Sequence, residues 1–187
     1  MVEDSMESVW NALREVQWGL AGARELINLH PLFVHFPVAL LLAATGCYLL
    51  GAALKKNELL LTGKWVLYFG TLSAIPTVWT GLEAAKTARH MEGMHGIMMA
   101  HQYLGVTVLA LSLGLSLWVF LSKASIPVKG KGLFLALLIL MSGLLIQGAD
   151  LGGRMVFLNG VGVGEKSMMQ NSTFEHVGHG SKEGIRK

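Results

Sequence analysis

The fold is decided by residues 30–54, which read HPLFVHFPVALLLAATGCYLLGAAL. The 23 residues 32–54 carry no charge, and about 20 apolar residues are enough for a helix to cross a bilayer. Pro31 suits the first turn of such a helix, where a missing N–H needs no partner. The stretch therefore predicts a first membrane span that opens with two histidines, His30 and His35.

Three more apolar stretches follow, and the whole chain is poor in charge. Charged residues make up 14% of the 187 residues, against about 25% in soluble domains. The sequence thus predicts an all-α membrane protein, a four-helix transmembrane bundle, and it shows no long internal repeat. The expected divisions are a leader at 1–29, the bundle at 30–150 and a glycine-rich closing motif and tail at 151–187. The predicted spans cover residues 32–54, 65–82, 96–121 and 132–149.

The leader and the tail have a different character from the bundle. Residues 6–27 predict an amphipathic helix, because Val9, Leu13, Val16 and Leu20 form one apolar stripe at helical spacing. Such a helix lies on a membrane surface or against a partner subunit, and a solvated leader is the alternative. The tail contains His176 and His179, which are expected to lie in a flexible terminus.

The loops predict the orientation of the bundle. The loops between spans one and two and between spans three and four each carry three lysines, whereas the central loop has one lysine and one arginine beside two glutamates. Lysine- and arginine-rich short loops stay in the cytoplasm. We therefore expect a multi-pass membrane protein with both termini outside. The net charge of +3 and the lack of a basic, aromatic-rich run argue against nucleic-acid binding.

In this topology all seven histidines fall on the outer side, and two of them match in depth. His35 and His101 each lie about five residues, or ~7 Å, inside the start of their spans. Facing helices of a bundle commonly hold a cofactor between them, so the sequence predicts His35 and His101 as axial ligands of a haem b iron. Alternatively, His35 is structural and bonds the Phe33 carbonyl that Pro37 leaves without a helical donor.

Four other residues are candidates at the same side. Arg154 is expected to pair with a haem propionate. His30 and His95 would bind a second cofactor, conduct protons, or lie among the lipid headgroups. Asp150 would join a proton path, cap a helix end, or pair with Arg154.

Three sequence segments resemble one bacterial membrane-protein family, domain of unknown function 2231. They are HPLFVHFP at 30–37, HQYLG at 101–105 and GGRMVFLNGVGV at 152–163. The resemblance covers about residues 29–163 and implies a four-helix membrane protein. The layout is also loosely similar to that of four-helix cytochrome b proteins, which favours haem.

Together these features predict a haem b subunit of a larger respiratory-type complex, a redox subunit rather than a stand-alone catalyst. It would pass electrons between the quinone pool, with quinone as a possible second cofactor, and an outer-face partner. The leader helix and the tail would dock other subunits. Two alternatives stay open: a non-redox scaffold subunit, and a small transporter or proton-conducting element using His35, His101 and Asp150.

Overall fold

The computed structural model describes residues 2–15, 29–87, 94–158 and 160. Within these ranges every regular element is a helix, and the last four helices are long and apolar enough to cross a membrane. The predicted all-α fold with four spans is confirmed. The helices are α1 (Val2–Glu15), α2 (His30–Ala53), α3 (Asn57–Thr87), α4 (His95–Ser122) and α5 (Lys131–Phe157).

The four long helices form a closed ring. Helix α2 packs on α3, α3 on α4, α4 on α5, and α5 returns to α2. Neighbours in this ring run antiparallel, as in up-and-down bundles with short connections. The N-termini of α2 and α4 and the C-termini of α3 and α5 make up what we call the histidine end. The opposite end, with the α2–α3 and α4–α5 loops, is the lysine end.

The helix boundaries differ from the sequence prediction at several places. Helix α3 extends beyond the predicted 65–82 at both ends, and α5 continues past residue 149 through Gly152 and Gly153 to Phe157. Helices can extend beyond the hydrocarbon core into the wet interface, so an apolar window underestimates their length. Of the predicted leader helix 6–27, α1 covers the first part. The segment 16–28, His90, and the tail from residue 161 with His176 and His179 lie outside the described residues.

A buried apolar cluster holds the four spans together. Tyr48 and Phe134 are fully buried in it and pack edge to face, with ring centroids 5.0 Å apart. The outward faces are apolar too: Phe120 and Leu121 are about two-thirds exposed, as expected of a surface that lipid covers. The buried members are Leu41, Ala44, Tyr48, Leu67, Val108, Leu115, Val119, Phe134, Leu138 and Met141.

Pro37 lies inside α2 and is buried. Proline has no N–H, so the carbonyl of Phe33, one turn earlier, loses its helical donor. The hydroxyl of Thr77 on α3 shares its one proton between this carbonyl, at 3.2 Å, and the Ser73 carbonyl, at 2.8 Å. A side chain of the neighbouring helix thus donates a hydrogen bond to the Phe33 carbonyl, because polar backbone groups in a membrane interior need a partner within the protein. The alternative role for His35, bonding this same carbonyl, is taken by Thr77.

The hairpins α2–α3 and α4–α5 repeat one another with an offset of 71 residues. The buried positions Leu41, Ala44, Tyr48 and Leu67 correspond to four positions that are buried in the second hairpin. Since α2 and α4 lie diagonally across the ring and run in the same direction, the hairpins are related by a pseudo-two-fold axis along the bundle, a parallel internal repeat. The corresponding positions are Ser112, Leu115, Val119 and Leu138.

Two hydroxyl pairs join the hairpins and obey the same relation. Ser142 on α5 donates to the hydroxyl of Thr45 on α2 at 2.8 Å, and the hydroxyls of Thr71 on α3 and Ser116 on α4 lie 2.9 Å apart. The 71-residue offset converts one pair into the other. Such interhelical hydrogen bonds are worth roughly 0.6 kcal/mol each in membranes. The repeat that the sequence does not show by identity is therefore present in burial and in contacts.

Candidate functional site

His30 is the first residue of α2 and is half-buried at the histidine end. Its Nδ1 lies 2.9 Å from the carbonyl oxygen of Thr77 on α3. A carbonyl only accepts hydrogen bonds, so Nδ1 carries the proton and donates it. The ring also lies against the backbone of Gly81, where an added Cβ would be 2.9 Å from the imidazole Cε1. The position of the ring therefore depends on glycine at residue 81.

His101 has the same surroundings in the second hairpin. Its Nδ1 donates to the carbonyl of Gly148 on α5 at 2.8 Å. Its ring lies over Gly152, where an added Cβ would be 3.1 Å from Cε1. In both hairpins the carbonyl partner is 47 residues after the histidine, and the glycine follows four residues later. The pseudo-two-fold relation thus includes both imidazoles, their carbonyl partners and the glycines that they contact.

The two imidazoles meet inside the ring of helices. The centroids of His30 and His101 are 6.2 Å apart, and the ring planes are almost perpendicular at 86°. Because α2 and α4 are diagonal neighbours, the two side chains face each other across the bundle. A pair of groups that a two-fold relation exchanges can meet only at the axis. The histidine pair therefore marks the pseudo-symmetry axis at the histidine end.

The structure places His30, and not His35, opposite His101. His35 is exposed on the outside of α2, because five helical residues turn it about 140° away from His30. The buried face of α2 carries Pro37 and Ala44, seven and fourteen residues after His30. Depth alone suggested His35, whereas the heptad spacing of His30 with the core face was the sequence signal for the correct residue. The expectation that His35 points into the bundle is wrong.

The remaining candidates lie on the surface of the helices. Asp150 and Arg154 are both exposed on α5, and Arg154 follows Gly152, the residue under His101, by two positions. His95 is exposed at the start of α4. Within the described ranges, no group of three or more His, Cys, Asp or Glu side chains could hold a metal ion. The site is therefore an imidazole pair rather than a polydentate protein cage.

The chemistry of the pair follows from its tautomer. A neutral imidazole with its proton on Nδ1 has the lone pair on Nε2, which is the form that binds metals. Histidines that bind metals almost always donate their other N–H to a carbonyl, carboxylate or water, and this bond fixes the ring orientation and raises its basicity. Both histidines make this bond to a backbone carbonyl. The pair therefore consists of two imidazoles in the same tautomer, each oriented by a backbone carbonyl.

A second feature at this end is an open groove between α3 and α4, which we call the α3–α4 groove. Its volume is about 730 Å³. Helix α3 contributes Trp79 and Lys86, and α4 contributes His95 and Gln102. Gln102 directly follows His101 in the chain, so one wall of the groove is adjacent to the histidine pair.

The fold and the pair define the class: a four-span membrane bundle built from two hairpins, with one histidine from each meeting on the axis. The model of the "Predicted membrane protein (DUF2231)" family matches residues 26–165. The chain belongs to this family, as the HPLFVHFP and GGRMVFLNGVGV motifs indicated. No curated protein and no solved structure matches the chain.

Proposed function

We propose that this membrane protein binds haem b and acts as an electron-transfer subunit, with His30 and His101 as the axial ligands of the iron. The observation that carries the proposal is the facing pair of imidazoles, each fixed by an Nδ1–H bond to a backbone carbonyl. The histidine, its carbonyl partner and its glycine recur in both hairpins at the same spacing.

The distance between the rings fits this role. A metal–imidazole bond is about 2.0–2.1 Å long, so two imidazoles bound to opposite sides of one iron have their ring centres roughly 6 Å apart. The observed centroid distance is 6.2 Å. The carbonyl bonds hold the two rings almost perpendicular to each other, at 86°, and His30 and His101 would hold the iron in this arrangement.

Small residues surround the pair. Gly81 and Gly152 lie directly against the two imidazoles, and Gly148 supplies the carbonyl to which His101 donates. No side chain projects from these three positions, and His30 and His101 would hold the haem. When bound, haem supplies reversible one-electron transfer at a potential set by the axial ligands and their hydrogen bonds.

The wider role extends this site to the membrane. Lysines at the loops of one end favour that end in the cytoplasm, so the histidine pair would lie near the outer face of the inner membrane. Electrons would pass between the quinone pool and an outer-face partner of a larger complex, which the leader helix and the tail would dock. Arg154 lies at the same end and is our proposed partner for a propionate.

An absorption spectrum of the purified protein tests the proposal directly. The protein, purified in a mild detergent with haem supplied during expression, is expected to give a b-type pyridine haemochrome and a reduced-minus-oxidised b-type difference spectrum. His30→Ala and His101→Ala are each expected to lose the spectrum. His35→Ala is the matched control, since it removes an exposed histidine of the same helix, and it is expected to keep it.

The outcomes separate the alternatives. A colourless protein that co-purifies with a membrane complex would refute haem binding and leave the scaffold function. Loss of the spectrum with His35→Ala and retention with His30→Ala would refute the ligand assignment. Circular dichroism of each variant checks that the helices are intact, so that loss of haem is not simply loss of fold.

A further inference from the structure

The α3–α4 groove runs along the helices instead of into the bundle. On α4 its wall includes His95, Gln102 and Leu109, which share one helical face because they are seven residues apart. On α3 it includes residues between Ile75 and Lys86. At 1.5 Å per residue these walls are about 21 Å and about 17 Å long. The groove is therefore long enough to hold an extended chain parallel to the lipid tails.

The chemistry of the groove changes along its length. Near the histidine end the walls carry polar groups, from Glu83, Lys86, His95 and Gln102. Towards the middle of the bundle they are apolar, with Ile75 and Leu109. An amphiphile with a small polar head and an apolar tail matches this gradient.

The charges at the mouth of the groove favour a neutral head. The ammonium of Lys86 lies 2.6 Å from the carboxylate of Glu83, so this pair adds no net charge. An anionic phospholipid head would instead need cations that no acid neutralises. Gln102 offers amide donors and His95 a ring N–H, which suit neutral carbonyl oxygens.

We propose that the α3–α4 groove binds a membrane quinone, with its ring beside Gln102 and Trp79 and its isoprenoid tail along Ile75 and Leu109. Quinones have a flat, neutral ring with two carbonyl acceptors, and flat rings pack well on an indole. Gln102 follows His101, so the bound ring lies next to the proposed haem ligand. Electron transfer between the bound quinone and a haem rests on the proposed function, but quinone binding itself needs no haem.

Tryptophan fluorescence tests the groove directly, because Trp79 lines it. The protein is placed in phosphatidylcholine nanodiscs without haem and titrated with decylubiquinone. We expect saturable quenching that Trp79→Phe largely removes. Trp65→Phe is the matched control, since Trp65 is also exposed on α3 but does not line the groove, and it is expected to keep the saturable component.

A second pair of variants tests the polar contact. Gln102→Leu is expected to weaken binding about tenfold, the effect of losing one good hydrogen bond. Gln147→Leu, at an exposed position of α5, is expected to leave binding unchanged. Quenching that never saturates, or that Trp79→Phe and Gln102→Leu leave unaltered, would overturn the proposal. Quenching abolished by added phosphatidylglycerol would also overturn it, because an anionic lipid would then occupy the groove.

The haem and quinone experiments fail independently. Saturable quenching in a protein with no b-type spectrum would refute the haem site and keep the groove. A b-type spectrum without saturable quenching would refute the groove and keep the haem site.

Discussion

The contact between Thr77 and the proline-freed carbonyl of Phe33 gives a prediction that a double-mutant cycle measures. Thr77→Val replaces the hydroxyl by a methyl group of similar size. It removes an interhelical hydrogen bond, worth roughly 0.6 kcal/mol in membranes and up to about 1.7. It also leaves the Phe33 carbonyl without a donor, a cost of about 1–3 kcal/mol in other proteins. We therefore expect a loss of about 1–2 kcal/mol in the free energy of unfolding.

Pro37→Ala changes this cost because alanine has an N–H. In a helix the N–H of residue 37 donates to the carbonyl of Phe33, so the Thr77 hydroxyl is no longer its only donor. In the Pro37→Ala background we expect Thr77→Val to cost about 0.5 kcal/mol, so the coupling energy is about 1 kcal/mol. The second bond of Thr77, to Ser73, is lost in both backgrounds and cancels.

Reversible unfolding in mixed detergent micelles, followed by circular dichroism, measures all four proteins of the cycle. Packing lost with the buried proline ring enters both the Pro37→Ala single variant and the double variant, and it therefore cancels in the coupling energy. An equal cost of Thr77→Val in both backgrounds, within about 0.3 kcal/mol, would refute the view that Thr77 serves the carbonyl that proline exposes.

Three further predictions use the same protein preparations. Gly81→Ala and Gly152→Ala are each expected to lower the free energy of unfolding by about 1–3 kcal/mol, because each added Cβ meets an imidazole. Gly105→Ala is the control: its Cβ would have nothing within 4 Å, and it is expected to be neutral or slightly stabilising. Equal effects of the three substitutions would contradict the close ring contacts. Tyr48→Phe is expected to stabilise the protein by about 1 kcal/mol, since its buried hydroxyl has no hydrogen-bond partner among the described residues; a clear loss would instead indicate a bound water. A cysteine placed in the α2–α3 turn, at the lysine end, is expected to resist an impermeant thiol reagent in intact cells. Rapid labelling would show that the lysine end faces the outside, which is the opposite of the expected orientation.

The sequence was sufficient for the fold because length and apolarity alone determine which helices can span a membrane. It was insufficient for the site because two side chains face each other only when both their depth in the membrane and their direction around the helix match. Depth follows from counting residues, and by depth His35 and His101 agreed. The direction around the helix depends on which face is buried, and in a span apolar on all sides no hydrophobic stripe reveals it. The useful signal was the heptad from His30 through Pro37 and Ala44 to Gly51.

The internal repeat was hidden for a related physical reason. Buried positions of a membrane bundle are set by shape and by local hydrogen bonds, so different residues can fill equivalent places. Leu41 and Ser112 are equivalent and both fully buried, although one is apolar and the other a hydroxyl. The Ser112 hydroxyl donates to the Leu109 carbonyl of its own helix at 2.9 Å, which satisfies it locally. Equivalent residues of the two hairpins therefore differ in type, although their positions in the bundle correspond.

The histidine pair lies on the pseudo-two-fold axis, whereas the α3–α4 groove lies away from it, between two neighbouring helices. The equivalent of His35 is Val106, an exposed apolar residue, so His35 has no histidine counterpart. His30 and His101 are exchanged by the axis and point towards it, so they meet on it. Away from the axis the two hairpins are free to differ. In the α5–α2 interface, the positions equivalent to Trp79 and Gln102 are Asp150 and Pro31, which remove the aromatic wall and the amide donor. A quinone site is therefore expected on one side only, next to the histidine pair to which both hairpins contribute.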